Sequence, residues 1–222
     1  MADFMNCEAL GYFSWKFFAA LLAGYLIGGI PFGYLIGKMR GVDVRTVGSK
    51  NIGATNVYRT VGPKWGFLAF FCDFLKGFLP TLAAVFAVRQ APSWFEMPDQ
   101  IVMELGVFVG LACVIGHTLT PYMKFKGGKG VATAFGMLVA QIPWPVLIAF
   151  ALFVATVWIS HYISLGSILA AAFLAVFIWI PTPLCAPTLS LKIVMTLIGI
   201  FVIYKHRSNI GRLIKGCENK IY

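Results

Sequence analysis

Long apolar runs separated by short polar segments make up most of this chain. Runs of this length are typical of transmembrane helices, which need ~20 apolar residues each. Pro143 and Pro145 lie where the fourth run meets the fifth, so we predict a turn at the membrane interface there, with a broken hairpin-like pair as the alternative. The fourth and fifth runs are the short ones among the seven, which cover 17–38, 65–88, 101–119, 131–142, 145–159, 163–180 and 189–204.

The composition indicates that lipid covers much of the molecule. Hydrophobic residues make up 59% of the chain and charged residues 12%, whereas soluble domains average about 45–50% and 25%. The 222 residues are enough for about six to eight spans and leave no room for a separate soluble domain. The sequence therefore predicts an all-α polytopic membrane protein with a single transmembrane domain over residues 1–222.

The basic residues predict an orientation. The formal net charge is +10, and it is confined to short segments between the runs. Retention of cations on the cytoplasmic side explains this pattern better than nucleic-acid binding does. With the N-terminus outside, all of the 18 Lys and Arg residues except Lys16, Arg89 and Lys192 fall on the cytoplasmic side. An outside N-terminus and a cytoplasmic C-terminus require an odd number of spans, which is seven or five.

The N-terminus and the cysteines exclude other kinds of protein. Asp3 and Glu8 precede the first run without a basic region, so we predict a retained span and not a cleaved signal peptide. The five cysteines include no C-x-x-C pair, so neither a zinc site nor a disulfide framework is predicted. H-E-x-x-H, a carboxylate run for Mg²⁺ and the H-x-x-x-x-D pair of many glycerolipid acyltransferases are also absent from the sequence. We therefore expect no metal and no cofactor.

The first polar segment, 48–59, has the composition of an anion-binding loop. Glycines allow neighbouring N–H groups to converge on an anion, hydroxyl groups add donors, and an arginine can pair with phosphate through two hydrogen bonds. The alternative is a polar interface loop with a helix N-cap at Thr55 or Asn56. The candidate residues are Gly48, Ser49, Asn51, Gly53, Thr55, Asn56 and Arg59.

The second segment, 124–130, leads directly into the fourth run. Glycines and lysines at a helix N-terminus predict an anion site, because free N–H groups and the helix dipole add to the lysine charges. The segment does not match a P-loop, which requires G-x-x-x-x-G-K-[ST]. A turn retained by its positive charge is the alternative. Its candidate residues are Lys124, Lys126, Gly127, Gly128, Lys129 and Gly130.

Two further segments, 161–167 and 204–212, carry pairs of polar side chains one helical turn apart. Ser164 and Ser167 are spaced i, i+3, as are His206 and Asn209, so each pair lies on one helix face. The alternatives are a helix cap with a small packing residue for the serines, and an anchor for lipid headgroups in the basic tail. All four donor-rich segments return to the same face, which predicts one shared cytoplasmic pocket for phosphate-bearing substrates.

Asp73, Lys76 and His117 are ionisable residues inside the second and third apolar runs. Asp73 and Lys76 are spaced i, i+3 in the second run, and a structural pair there is favoured because an isolated charge at membrane depth is costly. His117 lies near the end of the third run and is a further candidate for the pocket. A transporter and a scaffold for anionic lipid remain alternatives to an enzyme. The one-sided polar groups disfavour the transporter, whose binding site should lie near the midplane.

Taken together, these segments resemble the PlsY family of bacterial membrane acyl-phosphate:glycerol-3-phosphate acyltransferases. The resemblance implies a seven-span enzyme of the bacterial cytoplasmic (inner) membrane with a cytoplasmic active site. It implies acyl transfer from acyl phosphate to the 1-hydroxyl of sn-glycerol 3-phosphate, which gives lysophosphatidic acid and inorganic phosphate without a metal. The soluble phosphate acyltransferase that makes acyl phosphate is the expected partner. The resemblance is carried, in order, by 48–59, 73–77, 116–117, 124–130, 164–167 and 206–220.

The resemblance also implies roles for the candidate residues. Ser49, Asn51, Gly53, Thr55, Asn56 and the backbone of Gly127, Gly128, Lys129 and Gly130 would cradle the acyl phosphate. Arg59, Lys126 or Lys129, Ser167, His206 and Asn209 would hold glycerol 3-phosphate, with His206, Lys126 and Ser167 assigned as catalytic. Ser164 is a further substrate-binding candidate. The family is thought to use a substrate phosphate as proton acceptor, and His206 or His117 as general base is the rival idea.

Two positions depart from the family pattern. Lys50 lies where the family commonly has glycine, and we expect that a lysine there keeps φ negative and still supplies charge. His161 lies where arginine is frequent, so a phosphate or interface contact is expected to be weaker.

Overall fold

A computed structural model describes residues 14–95, 104–183 and 185–221, and these residues form helices and no β-strand. Asp3, Glu8, Cys7 and the first residues of the predicted third run, 101–103, lie outside the described residues. The α-helices are α1 (Trp15–Gly29), α2 (Phe32–Met39), α3 (Ala54–Thr60), α4 (Pro63–Gln90), α5 (Leu105–Thr118), α6 (Val131–Gln141), α7 (Pro143–Ser160), α8 (Ile163–Phe177), α9 (Leu189–Lys205) and α10 (Arg207–Ile214).

Each of the seven apolar runs contains a described helix. By length and composition, four stretches of the described residues could cross a membrane: Trp15–Met39, Pro63–Gln90, Leu105–Met123 and Pro143–Ser160. Helices α9 and α10 form a fifth candidate if they are one span bent by 54°. Helix α6 has 11 residues and α8 has 15, which is short of the ~20 that a straight span needs. The number seven and the orientation of the termini stay predictions.

The first apolar run is broken at Pro31, between α1 and α2. Proline has no N–H, so carbonyl groups near the break lose their helical partners, and they need new donors at membrane depth. The hydroxyl of Thr120 donates to Gly29 O at 2.6 Å, and the ammonium of Lys76 donates to Ile30 O at 2.7 Å. Lys76, which the sequence predicted as part of a structural pair, therefore hydrogen-bonds a carbonyl group at the helix break.

Glycines bring the helices that carry the site close together. A Cβ at Gly77 of α4 would collide with the backbone of Thr133 in α6, and one at Gly136 of α6 would collide with the backbone of Phe74. Small residues at such crossings are typical of helix pairs in membranes. The contact sets α4 against α6 and places the N-terminus of α6 beside the middle of α4.

Candidate active site

The 48–59 segment is held in shape by one buried amide. Asn56 is 1% exposed, and its Nδ2 donates to Val44 O at 2.7 Å and to Val47 O at 3.2 Å. Its Oδ1 accepts the N–H of Ser49 at 2.8 Å. Helix α3 begins at Ala54 after Gly53, not after Thr55 or Asn56 as the alternative reading required. Asn56 therefore shapes the loop through its own hydrogen bonds.

Lys50 adopts a left-handed backbone conformation, with φ of 56°. The expectation that it keeps φ negative is wrong. The loop turns sharply between Gly48, which also has a positive φ of 57°, and the start of α3. The loop requires the conformation that glycine adopts freely and an L-residue adopts only at a cost of ~1–2 kcal/mol.

Replacing Lys50 with glycine is expected to stabilise the protein. The free energy of unfolding should rise by about 1 kcal/mol, because relief of the strained φ outweighs the entropy that glycine adds to the unfolded chain. The midpoint of thermal unfolding of the detergent-purified protein measures the change. Lys50→Ala is the matched control, since it removes the same charge and keeps Cβ. Equal midpoints for the two variants would show that φ is not the cause.

The glycine-rich loop is fastened to the C-terminal end of α5. The N–H of Gly127 donates to Thr118 O and that of Gly128 donates to His117 O, both at 3.1 Å. These two N–H groups are therefore already hydrogen-bonded within the protein. The N–H groups that remain for the predicted anion cradle are those at the end of the loop. Gly130 is the N-cap of α6, with φ of 79°. First-turn N–H groups of a helix lack intrahelical partners, so this end of α6, which lines a cavity, suits an anion.

The end of the chain folds back over the site around Glu218, which is 6% exposed. Its Oε1 accepts hydrogen bonds from Asn209 Nδ2 at 2.7 Å and from Ser164 Oγ at 3.1 Å. Its Oε2 accepts from Arg212 Nε at 2.7 Å. Asn209 in turn accepts from the ammonium of Lys129 through Oδ1 at 2.5 Å. One carboxylate therefore connects α8, α10 and, through Asn209, the glycine-rich loop.

Two further contacts fix this terminal segment. Arg59 of α3 donates through Nη2 to Asn219 O at 2.8 Å, and the N–H of Ile221 donates to His161 O at 2.9 Å. The terminal segment therefore joins α3 to the start of α8.

Most of the predicted site residues meet at one cavity of about 380 Å³. His206 is buried at the junction of α9 and α10, where its Nδ1 lies 2.7 Å from Val202 O. Because a carbonyl only accepts, this contact favours the tautomer with a proton on Nδ1. The predicted residues that line the cavity are Asn51, Gly53, Thr55, Asn56, Lys129, Gly130, Ser164, Ser167 and His206, together with the further candidate His117 and with Asp73 of the buried pair.

The structure does not bring every candidate to the cavity wall. Lys126 is exposed and lies outside the lining, whereas Lys129, its alternative, is part of it. Ser49 is also exposed. The other predicted residues outside the lining are Arg59, Gly127, Gly128 and Asn209. The two glycines belong to the glycine-rich loop, Asn209 bonds to Lys129 in that loop, and Arg59 bonds to the terminal segment at Asn219.

Positive charge exceeds negative charge around Lys129. Burial lowers the pKa of Lys129 to about 8, and Glu218 opposes this shift. Three neighbouring cations lower the pKa further: Arg212, Arg59 and Lys205. For Glu218, burial alone would raise the pKa, but hydrogen bonds from Asn209 and Arg212 outweigh burial and bring it below its ordinary value. The carboxylate is thus ionised at neutral pH, and the cation excess favours an anionic ligand.

A second, apolar cavity of about 110 Å³ adjoins the first. Ser167 lines both, as do Phe70, Val131, Phe150 and Phe153. The apolar cavity extends between α6, α7, α8 and α9, where the side chains of Leu138, Leu174 and Met195 form part of its wall. The two cavities together suit a molecule with a charged head and an apolar chain.

Glu218, the centre of the polar network, was not among the site residues predicted from the sequence. A signal was present, since Glu218 is the sole acidic residue after Glu104 and lies in a basic tail. The aromatic side chains Phe70, Phe150 and Phe153 were also missed. They lie within apolar runs, where no sequence pattern distinguishes a cavity wall from a lipid-facing surface.

Comparison with known proteins shows the family of this chain. Residues 18–216 match the family model described as glycerol-3-phosphate acyltransferase. The glycerol-3-phosphate acyltransferase of Trichlorobacter lovleyi is 46% identical over 200 residues, which is 90% of this chain and 95% of that protein. The enzyme of the same name from Aquifex aeolicus is 42% identical over 202 residues, covering 90% and 96%.

Two crystal structures of PlsY (YgiH), an integral membrane glycerol 3-phosphate acyltransferase, share the fold. The glycerol 3-phosphate form superposes with a TM-score of 0.80 at 40% identity, covering 92% of this chain and 95% of that one. The lysophosphatidic acid form gives 0.78 at 38% identity, with the same coverage. This chain therefore belongs to the PlsY family of integral membrane glycerol-3-phosphate acyltransferases.

Proposed function

We propose that this glycerol-3-phosphate acyltransferase takes its acyl group from acyl phosphate and transfers it to the 1-hydroxyl of sn-glycerol 3-phosphate. The products are 1-acyl-sn-glycerol 3-phosphate (lysophosphatidic acid) and inorganic phosphate. The observation that carries the proposal is the junction of a cation-rich cavity with an apolar cavity at Ser167. The PlsY structures in glycerol 3-phosphate and lysophosphatidic acid forms support the acceptor and the product.

The proposed reaction asks little acid–base chemistry of the protein. Acyl phosphate is a mixed anhydride, so the phosphate is already a good leaving group. The hydroxyl oxygen forms a bond to the carbonyl carbon, the bond from that carbon to the phosphate oxygen breaks, and the hydroxyl proton passes to a substrate phosphate. The enzyme then contributes alignment of the two substrates and stabilisation of phosphate charge.

The polar groups divide between two phosphates. The donor phosphate is assigned to the N-terminal end of α6 at Gly130 and to the loop of Asn51, Gly53 and Thr55, with Ser49, Asn56, Gly127 and Gly128 shaping its surroundings. The acceptor phosphate is assigned to Lys129, His206 and Arg59. Lys129 is preferred over Lys126 because it lines the cavity. Ser164 and Asn209 support this region through Glu218, and Ser167 lies where the acyl carbon would enter.

We also retain seven spans, an outside N-terminus, and an active site on the cytoplasmic side of a bacterial inner membrane. The +10 charge and its one-sided distribution support this orientation. A soluble enzyme that makes acyl phosphate is the natural partner, since acyl phosphate must be delivered. Cys217 is exposed, whereas Cys185 is partly exposed in the proposed outer loop. Labelling with a membrane-impermeant maleimide should therefore succeed in inside-out vesicles of a Cys7→Ser/Cys185→Ser variant and fail in right-side-out vesicles.

The decisive experiment measures which donor is used. Purified protein is incubated with labelled glycerol 3-phosphate and palmitoyl phosphate, palmitoyl-CoA or palmitoyl-acyl carrier protein. Of the three donors, only palmitoyl phosphate should give lysophosphatidic acid, with one inorganic phosphate released for each product molecule. Product with either thioester and none with palmitoyl phosphate would overturn the donor assignment. Binding of glycerol 3-phosphate without product from any donor would favour a lipid-binding scaffold.

A further inference from the structure

A cluster of buried ionisable side chains lies against the glycine-rich loop: Asp73, Lys76 and His117, each at most 5% exposed. Asp73 and His117 also form part of the wall of the cavity of about 380 Å³. Lys76 is explained by the helix break, since it donates to Ile30 O while its ammonium lies 2.7 Å from Asp73 Oδ1. His117 has no such explanation. Its Nδ1 faces the same Asp73 oxygen at 3.6 Å, which is longer than a hydrogen bond, so the attraction of the carboxylate for a proton on Nδ1 orients the ring electrostatically.

The other side of the His117 ring contacts the loop. The three atoms nearest to a Cβ built on Gly128 are Nε2, Cδ2 and Cε1 of His117. The ring therefore occupies the space that a side chain at Gly128 would need. Gly128 is also tied to the backbone of His117 through its N–H. Gly127 differs, because a Cβ there would meet backbone atoms of His117 and Thr118.

The contact between His117 and Gly128 is one residue away from Lys129, the cation that lines the cavity. Lys129 follows Gly128 directly, and its ammonium is aligned on Asn209. A shift of Gly128 moves the backbone of Lys129 with it. The ring is held at low dielectric between a carboxylate of α4 and the loop, where electrostatic orientation is strong. The position of Lys129 is therefore coupled to the orientation of an imidazole buried under the loop.

The geometry points to His117, oriented by Asp73, as a positioning residue that sets the glycine-rich loop so that Lys129 meets the acceptor phosphate. This inference rests on the proposed phosphate site at Lys129. It gives His117, which also lines the cavity, a role through the loop in place of the rival role as general base. The contact with Gly128 makes that role testable, because steric relief can be engineered from either side.

The test is a double-mutant cycle between Gly128 and His117, measured as KM and kcat for glycerol 3-phosphate with palmitoyl phosphate as donor. Gly128→Ala alone is expected to raise KM about 10-fold or more, because its Cβ must displace the ring or the loop. His117→Ala alone should raise KM about 10-fold with kcat changed less than about 3-fold, as for lost ground-state binding. In the His117→Ala background, Gly128→Ala should add nothing, since the space is vacated.

Three further variants make the cycle specific. Gly127→Ala is the matched control, and its defect should persist in the His117→Ala background because its Cβ meets backbone. His117→Asn should recover most of the affinity, since the amide can donate to Asp73, whereas His117→Leu should not. If His117→Ala does not fold, His117→Asn replaces it in the cycle.

The outcomes separate this inference from the proposed function. If His117→Leu has the KM of the unchanged protein, or if the Gly128→Ala defect persists in the His117→Ala background, the positioning role is wrong. Lys129→Met tests the phosphate site itself. An unchanged KM for glycerol 3-phosphate in that variant would overturn the site as well.

Discussion

Replacing Lys129 with methionine is expected to lower kcat/KM for glycerol 3-phosphate by at least on the order of 10²-fold, the effect of removing a preorganised donor to a charged oxygen. Methionine keeps the length and the apolar stem and removes the charge. It leaves Asn209 Oδ1 without its ammonium partner and the cavity without its central cation. Steady-state kinetics in detergent or in lipid nanodiscs measures the loss. Lys126→Met is the matched control, and its exposed side chain should make little difference.

The same residue predicts a pH dependence. The pKa of Lys129 is lowered to about 8, by burial first of all. Lys129 is therefore charged below about pH 8 and loses its charge as the pH rises through that value. Because kcat/KM reports the ionisation of the free enzyme, kcat/KM for glycerol 3-phosphate should fall above about pH 8. Lys129→Arg stays charged throughout, so a similar fall in that variant would assign the titration to another group.

Replacing Glu218 with alanine is expected to destabilise the protein and abolish most of its activity. The change leaves Ser164, Asn209 and Arg212 without their acceptor, and roughly 2–4 kcal/mol of unfolding free energy should be lost, as for a broken buried ion pair. Asn209 would no longer be held against Lys129. Thermal unfolding of the purified protein and kinetics on the folded fraction measure the two effects.

Glutamine at position 218 separates shape from charge. Glu218→Gln keeps one carbonyl oxygen that can accept from Asn209 and Ser164, and it loses the ion pair with Arg212. Its unfolding midpoint should lie between those of the unchanged protein and Glu218→Ala. The excess of cations around Lys129 should also increase, so the pKa of Lys129 should fall. The decline of kcat/KM with rising pH should then begin at a lower pH. A Glu218→Ala variant as stable and active as the unchanged protein would contradict the role of Glu218 as the centre of the polar network.

The sequence pattern identified the candidate polar segments, whereas the tertiary structure decided which of their side chains reach the cavity. The segments 48–59, 124–130, 161–167 and 204–212 could be selected from the sequence because donors and glycines stand out between apolar runs. The choice between Lys126 and Lys129 could not, because both lie in one irregular loop. That loop carries left-handed φ values at Lys124 and Phe125, and such turns reverse side-chain directions in a way that spacing does not predict.

The glycine-rich loop shows a second limit. Three glycines before a helix predicted an anion cradle, and the N-terminus of α6 at Gly130 is consistent with one. For Gly127 and Gly128 the tertiary contacts give another reason, which is close approach to the end of α5. A glycine that frees an N–H and a glycine that makes room for a neighbour look the same in a sequence.

By itself, the sequence determined the helical membrane character, and the resemblance of its polar segments identified the family. The membrane character follows from composition and from run lengths matched to bilayer thickness, and the polar segments stand out as local donor clusters, which are properties of neighbouring residues. Tertiary structure alone decided which groups meet. Glu218 contacts Ser164, 54 residues away in the chain, and His117 fills the space beside Gly128. Such contacts depend on how helices cross at their glycines and where the chain end folds back, and no local pattern encodes either.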